Sequence, residues 1–184
     1  MFEIATKQPV KLTAFNTRAE KHGKEPKPAA DLLIEAAMGA DCLRYFAPGL
    51  RESLYKAAED QTDLVDPDRN ALTALRFQKM SPFAWGWEGK GYKMVIDYGL
   101  GGDSDIELGD CTVKDFRIAP QQGGTVLVKF RVVAHPDEKA TGILGHRVQR
   151  EIDVVLIPPP PQTVGELFGD EPQQQEEPET ADEE

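Results

Sequence analysis

The chain is short of the residues that buried-site chemistry usually requires. It has only two cysteines, Cys42 and Cys111, and three scattered histidines, His22, His135 and His146, in 184 residues. No Cys-x-x-Cys occurs and no metal-ligand spacing appears, so neither a metal nor another cofactor is expected. Two thiols this far apart read as reduced cysteines of a cytosolic chain, not as a disulfide framework. No apolar stretch approaches the ~18 residues of a membrane span. The opening residues Met1 to Thr6 lack the basic start and apolar run of a secretory signal. The expectation is a cytoplasmic protein with no membrane partner.

Catalytic patterns are equally scarce. Ser53, Ser81 and Ser104 lack a nucleophile-elbow context, and neither cysteine has a signature histidine nearby. Gly86-x-x-Gly89-x-Gly91 and Leu100-Gly101-Gly102 are not followed by Gly-Lys-Ser/Thr, so a phosphate loop is not supported. Gly89 and Gly91 read as turn residues. Asp103, Asp105, Glu107 and Asp110 form an acidic cluster without the ligand order of an EF-hand. It reads as a solvated turn. An enzyme is not expected.

What is abundant is negative charge, and it is unevenly placed. The formal net charge is −11, yet nine of the 32 carboxylates lie in Gly165 to Glu184, which contains no lysine or arginine. Residues 1–164 hold 23 acidic and 21 basic side chains, a balance of −2. The protein is a near-neutral body with an acidic appendage. A charge argument against nucleic-acid binding therefore does not apply to the body.

Residues 1–157 read as one β-rich domain. Val10 to Phe15 and Ala30 to Ala37 alternate as strands around a basic loop over 16–28. Asp41 to Phe46 suits a helical turn. Pro48 opens a helix over 49–58, with Leu50, Leu54 and Ala57 on one stripe. Strands follow at Leu72 to Phe77, Pro82 to Trp87, Tyr92 to Tyr98, Cys111 to Ile118, Thr125 to Ala134 and Arg147 to Ile157. Glu88 to Gly91 predicts a hairpin, as does Gly123-Gly124. A loop starts at Pro136-Asp137-Glu138. Pro158 to Pro161 ends the last strand, and 158–184 forms a linker and disordered acidic tail. The fold expected is mainly β: an antiparallel β-sandwich or OB-like barrel with one or two short helices.

Two features carry a functional reading. Phe83, Trp85 and Trp87 share one face of their strand, either as core or as a platform for stacked bases. On Thr125 to Ala134, Val126, Val128, Phe130, Val132 and Ala134 make the apolar face, with Lys129 and Arg131 opposite. Lys114, Arg117, Arg147 and Arg150 fall on neighbouring predicted strands, and Lys90 and Lys93 on the aromatic hairpin. They are either ordinary solvated strand faces, Arg150 pairing with Asp153 for instance, or a groove that follows a phosphate backbone. The candidate contacts are Trp85, Trp87 and Tyr92 for bases, with Lys93, Lys129, Arg131, Arg147 and Arg150 for phosphates. In the tail, Leu167 and Phe168 form a short apolar knot suited to docking a partner.

The segments Val10 to Gly23, Asp31 to Ile34 and Pro48 to Tyr55 resemble the N-terminal part of uncharacterised phage and prophage proteins. This likeness covers about the first third and carries no site residues. The layout of β-rich body, Pro/Gln linker and acidic tail resembles phage and bacterial single-stranded DNA-binding proteins. Those commonly end in acids followed by an aromatic residue, whereas this chain ends Ala181-Asp182-Glu183-Glu184. The resemblances imply a single-stranded DNA binder of a phage replication or recombination module, acting in the host cytoplasm. The tail would compete for the binding site or dock phage or host replication proteins, and a homo-oligomer is compatible. The alternatives are an adaptor or inhibitor of a host nucleic-acid or defence enzyme, and a phage structural protein.

Overall fold

The computed structural model describes residues 1–22, 25–58, 72–98 and 104–160. Gly101, Gly102 and the tail with Leu167 and Phe168 lie outside these residues.

The body is a closed antiparallel barrel, which decides between barrel and sandwich. Six strands form it: β1 (Ile4–His22), β2 (Glu25–Gly39), β6 (Gly89–Asp97), β7 (Ile106–Pro120), β8 (Thr125–Ala134) and β9 (Glu151–Ile157). Around the barrel the order is β1-β2-β8-β7-β6-β9 and back to β1. β6, β7 and β8 form a meander, and β9 returns by a long connection to lie beside β6, a Greek key. A six-stranded barrel is narrow enough for side chains to fill its interior. Leu12, Leu32, Ile34, Val113, Ile118, Val128 and Val132 are fully buried there. Phe2, Phe116 and Phe130 meet at ring-centroid distances of 5.0 to 5.7 Å.

The strand β7 carries the sharpest departure from simple alternation. Its sequence divides into pentads, Ile-Glu-Leu-Gly-Asp, Cys-Thr-Val-Lys-Asp and Phe-Arg-Ile-Ala-Pro. The first and third residues of each face in: Ile106, Leu108, Cys111, Val113, Phe116 and Ile118 are all buried. Asp110 and Asp115 adopt positive φ, 49° and 57°. The register slips by one residue at each place, between the pairs Tyr92–Cys111 and Met94–Leu108, and between Lys114–Arg131 and Arg117–Lys129. These are β-bulges. Each resets the parity of the strand, so an odd spacing returns an apolar residue to the interior. Aspartate suits the position because it tolerates the left-handed region better than most residues.

Other elements differ from the sequence reading for local reasons. The expected loop over 16–28 is instead the end of a β1–β2 ribbon, paired as far as His22 with Glu25. β9 accompanies β1 only as far as Lys11, and β8 accompanies β2 from Ala30, so the ribbon projects as a two-stranded arm. Pro26 and Pro28 lie on its β2 strand, where proline suits an unpaired edge. A 3₁₀ turn over Ala40–Tyr45 matches the expected helical turn. The next helix, α1 (Leu50–Leu54), is cut short because Tyr55 turns into the core and begins β3 (Tyr55–Ala57), which pairs with β4 (Leu72–Leu75). The Tyr55 hydroxyl lies 2.9 Å from the Gln121 carbonyl and 2.8 Å from that of Thr125. The stretch expected as a loop after Pro136 contains helix α2 (Glu138–His146), whose Ala140 N–H donates to the Asp137 side chain at 2.6 Å. Among the described residues no helix is long and apolar enough to cross a membrane.

Candidate nucleic-acid interface

The expected hairpin between Pro82 to Trp87 and Tyr92 to Tyr98 does not form. β5 (Phe83–Trp85) pairs with Phe116 to Ile118 of β7, and β6 pairs with Gly89's partner Val113 and residues before it. The two strands therefore follow one another along the same edge of β7. The other edge of β7 is occupied by β8. This arrangement lays the aromatic strand directly beside the basic residues of β7.

Phe83, Trp85 and Trp87 are half-buried, while Ala84, Gly86 and Glu88 are exposed. The three rings thus face the core, as the first of the two readings holds. Trp85 meets Phe46 edge-on at 6.0 Å; Trp87 meets Tyr92 at 6.4 Å and Phe116 at 5.6 Å. Gly89 permits this packing: a β-carbon there would stand 2.5 Å from the Trp87 ring and 2.6 Å from that of Tyr92. Burial is incomplete, however. Trp85 and Trp87 line an open depression of about 410 Å³ together with Lys114, Asp115 and Arg117. Beyond β7, a second depression of about 270 Å³ is lined by Asp115, Arg117, Lys129, Arg131, Thr13 and Leu33. Asp115 and Arg117 belong to both, so the two depressions adjoin across β7 and are treated together as a groove.

The floor of this groove is unusual for a sheet. Lys114 lies opposite Arg131, and Arg117 opposite Lys129, as consecutive cross-strand partners. Like charges directly opposite one another are destabilising. Partial compensation comes from neighbours. Lys129 pairs with Glu35 at 2.6 Å, and Arg131 reaches Asp31 at 3.1 Å and Asp115 at 2.7 Å. Asp31, nearly buried, also receives Arg18. Lys114 and Arg117 have no ion pair among the described residues.

The sequence-derived contacts therefore divide. Trp85, Trp87, Lys129 and Arg131 meet at the groove, joined by Lys114 and Arg117. Tyr92 does not. It is fully buried, its hydroxyl donates to the Phe2 carbonyl at 2.9 Å, and burial pushes its pKa up to about 12. No face of Tyr92 is open to a base. Lys93 stands farther along the sheet and pairs with Glu107 at 2.7 Å. Arg147 and Arg150 are not on a strand: they occupy the turn between α2 and β9. The Arg147 guanidinium lies 5.1 Å from the centre of the Tyr98 ring, and the Arg150 carbonyl accepts from Leu12 N–H at 3.1 Å. Asp153 stands 4.0 Å from Lys7. Asp115 was missed as a site residue, although the pentad repeat of β7 marks it.

Among the described residues no three His, Cys, Asp or Glu side chains converge as metal ligands do. Cys42 and Cys111 are unbridged, and burial pushes both thiols up to about 12. No family model, curated protein or solved structure matches the chain.

Proposed function

We propose that the protein is a non-catalytic binder of single-stranded DNA, serving a phage replication or recombination module. The observation that carries this reading is the two pairs of like-charged partners, Lys114 with Arg131 and Arg117 with Lys129, beside the half-buried Trp85 and Trp87. A sheet face built with adjacent cations opposite one another is explained by an anionic ligand that spans them. Single-stranded DNA offers a chain of phosphates for the cations and bases for the exposed part of the indoles. A closed barrel is compatible with OB-like binding, in which the strand faces carry the ligand. The tail supplies a tethered polyanion for the same surface, at an effective concentration on the order of mM.

The test is titration of a short labelled oligothymidylate with the full chain and four variants. Lys114→Gln and Arg117→Gln are expected to weaken binding and to lower the slope of log affinity against log salt by about 0.7 each. Lys93→Gln and Tyr92→Phe are expected to bind like the parent chain. An equal loss in Lys93→Gln would move the site elsewhere, and absence of binding at low salt would end the proposal. Retention of a protein partner without any oligonucleotide affinity would favour the adaptor reading instead.

A further inference from the structure

We infer that Asp115 is a built-in competitor for the phosphate, a carboxylate held in the groove that restrains its affinity until a nucleic-acid strand replaces it. The inference rests on the reading of the groove as a single-strand site and concerns how that site is tuned.

Three observations converge on Asp115. The bulge places it on the solvent side of β7, where its exposed side chain borders both depressions of the groove. Arg117 lines the same two depressions, and Lys114 and Arg131 flank it. Second, its carboxylate lies 2.7 Å from Arg131 Nε, yet the Nε–H is buried with no aligned hydrogen-bond acceptor. The contact is an ion pair of poor geometry, the kind that contributes little when partly exposed. A phosphate oxygen entering the groove would give that donor an acceptor. Third, the backbone does not require the charge. A residue at φ 57° can be asparagine or glycine as readily as aspartate. Asp110 shows the same geometry at φ 49° one pentad earlier, outside the groove. A carboxylate at 115 therefore does something that the turn alone does not ask for. It offsets part of the positive charge of Lys114, Arg117, Lys129 and Arg131 while no ligand is bound, through its contact with Arg131.

The second aspartate supplies an internal control. Asp115→Asn and Asp110→Asn remove the same charge from the same strand and the same backbone conformation. The experiment titrates a short labelled oligothymidylate with the full chain and with each variant, at several salt concentrations. Asp115→Asn is expected to bind roughly two- to fivefold more tightly, the range an exposed ion pair implies. Its slope against log salt should steepen by about 0.7, one further phosphate neutralised. Asp110→Asn should match the parent chain in both quantities. Equal tightening by both variants would reduce the effect to net charge and overturn the inference. No tightening by Asp115→Asn, with the parent chain binding normally, would overturn it while leaving the binding site in place. Failure of all three proteins to bind would remove both. Asp115→Gly carries the same charge removal if the asparagine variant does not fold, because glycine adopts positive φ without penalty.

Discussion

Tyr92, Lys129 and Arg131 show what decides the role of a single side chain here. Lys129 and Arg131 were legible either as solvated strand faces or as phosphate contacts, and Tyr92 as a base contact. The outward placement of Lys129 and Arg131 follows from the strict alternation of β8, which buries Val128, Phe130 and Val132. Tyr92 obeys the same alternation and is buried for it. Ring type suggested stacking, but parity governs exposure. Arg147 and Arg150 were misplaced because the start of the last strand was read four residues early, across the end of α2. The buried acids make a pH prediction. Tyr92, Cys42 and Cys111 have pKa values near 12 in the folded protein, above their ordinary values of 10.0, 9.0 and 9.0. The folded state holds these protons after the unfolded chain has released them. Their contribution is therefore complete below pH 9 and is lost as pH rises from about 9 to 12. Denaturant midpoints measured across that interval should fall steadily, and a flat profile would show that these groups are not shielded.

At the scale of elements, β7 was legible only in part. A strand over Cys111 to Ile118 follows from its apolar residues, but alternation fails at Lys114-Asp115, and no single face can hold Val113 and Phe116 without a bulge. The pentad repeat is the signal that was present. Aspartate in that position gives a stability prediction. Asp110→Ala forces a β-carbon-bearing residue without a locally bonding side chain into positive φ and should cost about 1–2 kcal/mol. Asp110→Gly should cost less or nothing. Chemical denaturation of the two variants checks the difference, and equal losses would show that the backbone conformation is not the cause. Helix α2 was hidden by Gly142 and Gly145, which lower helix propensity, although its Asp137 cap stands in the sequence. Helix α1 was overestimated for the opposite reason. Its apolar stripe continues to Ala57, but burial of Tyr55 and its bonds to Gln121 and Thr125 override local propensity.

At the scale of the whole molecule, the β class and the antiparallel pairing were legible, and closure was not. Closure depends on β2 meeting β8 and β9 meeting β1, pairings between residues roughly a hundred or more positions apart. Nothing in a local pattern encodes them. The β2–β8 pairing sets Leu33 opposite Arg131, and β5 lies on the other edge of β7, so the groove gathers residues the sequence kept as separate suggestions. Charge organisation follows a similar rule. The body is nearly neutral and sets four cations side by side at one groove, while the tail concentrates carboxylates. The measurement that tests this account most directly compares oligothymidylate binding by the full chain and by a chain lacking Gly165 to Glu184, each at low and high salt. The account predicts binding that weakens as salt rises and that tightens when the tail is removed. Absence of binding by both chains at low salt would contradict it.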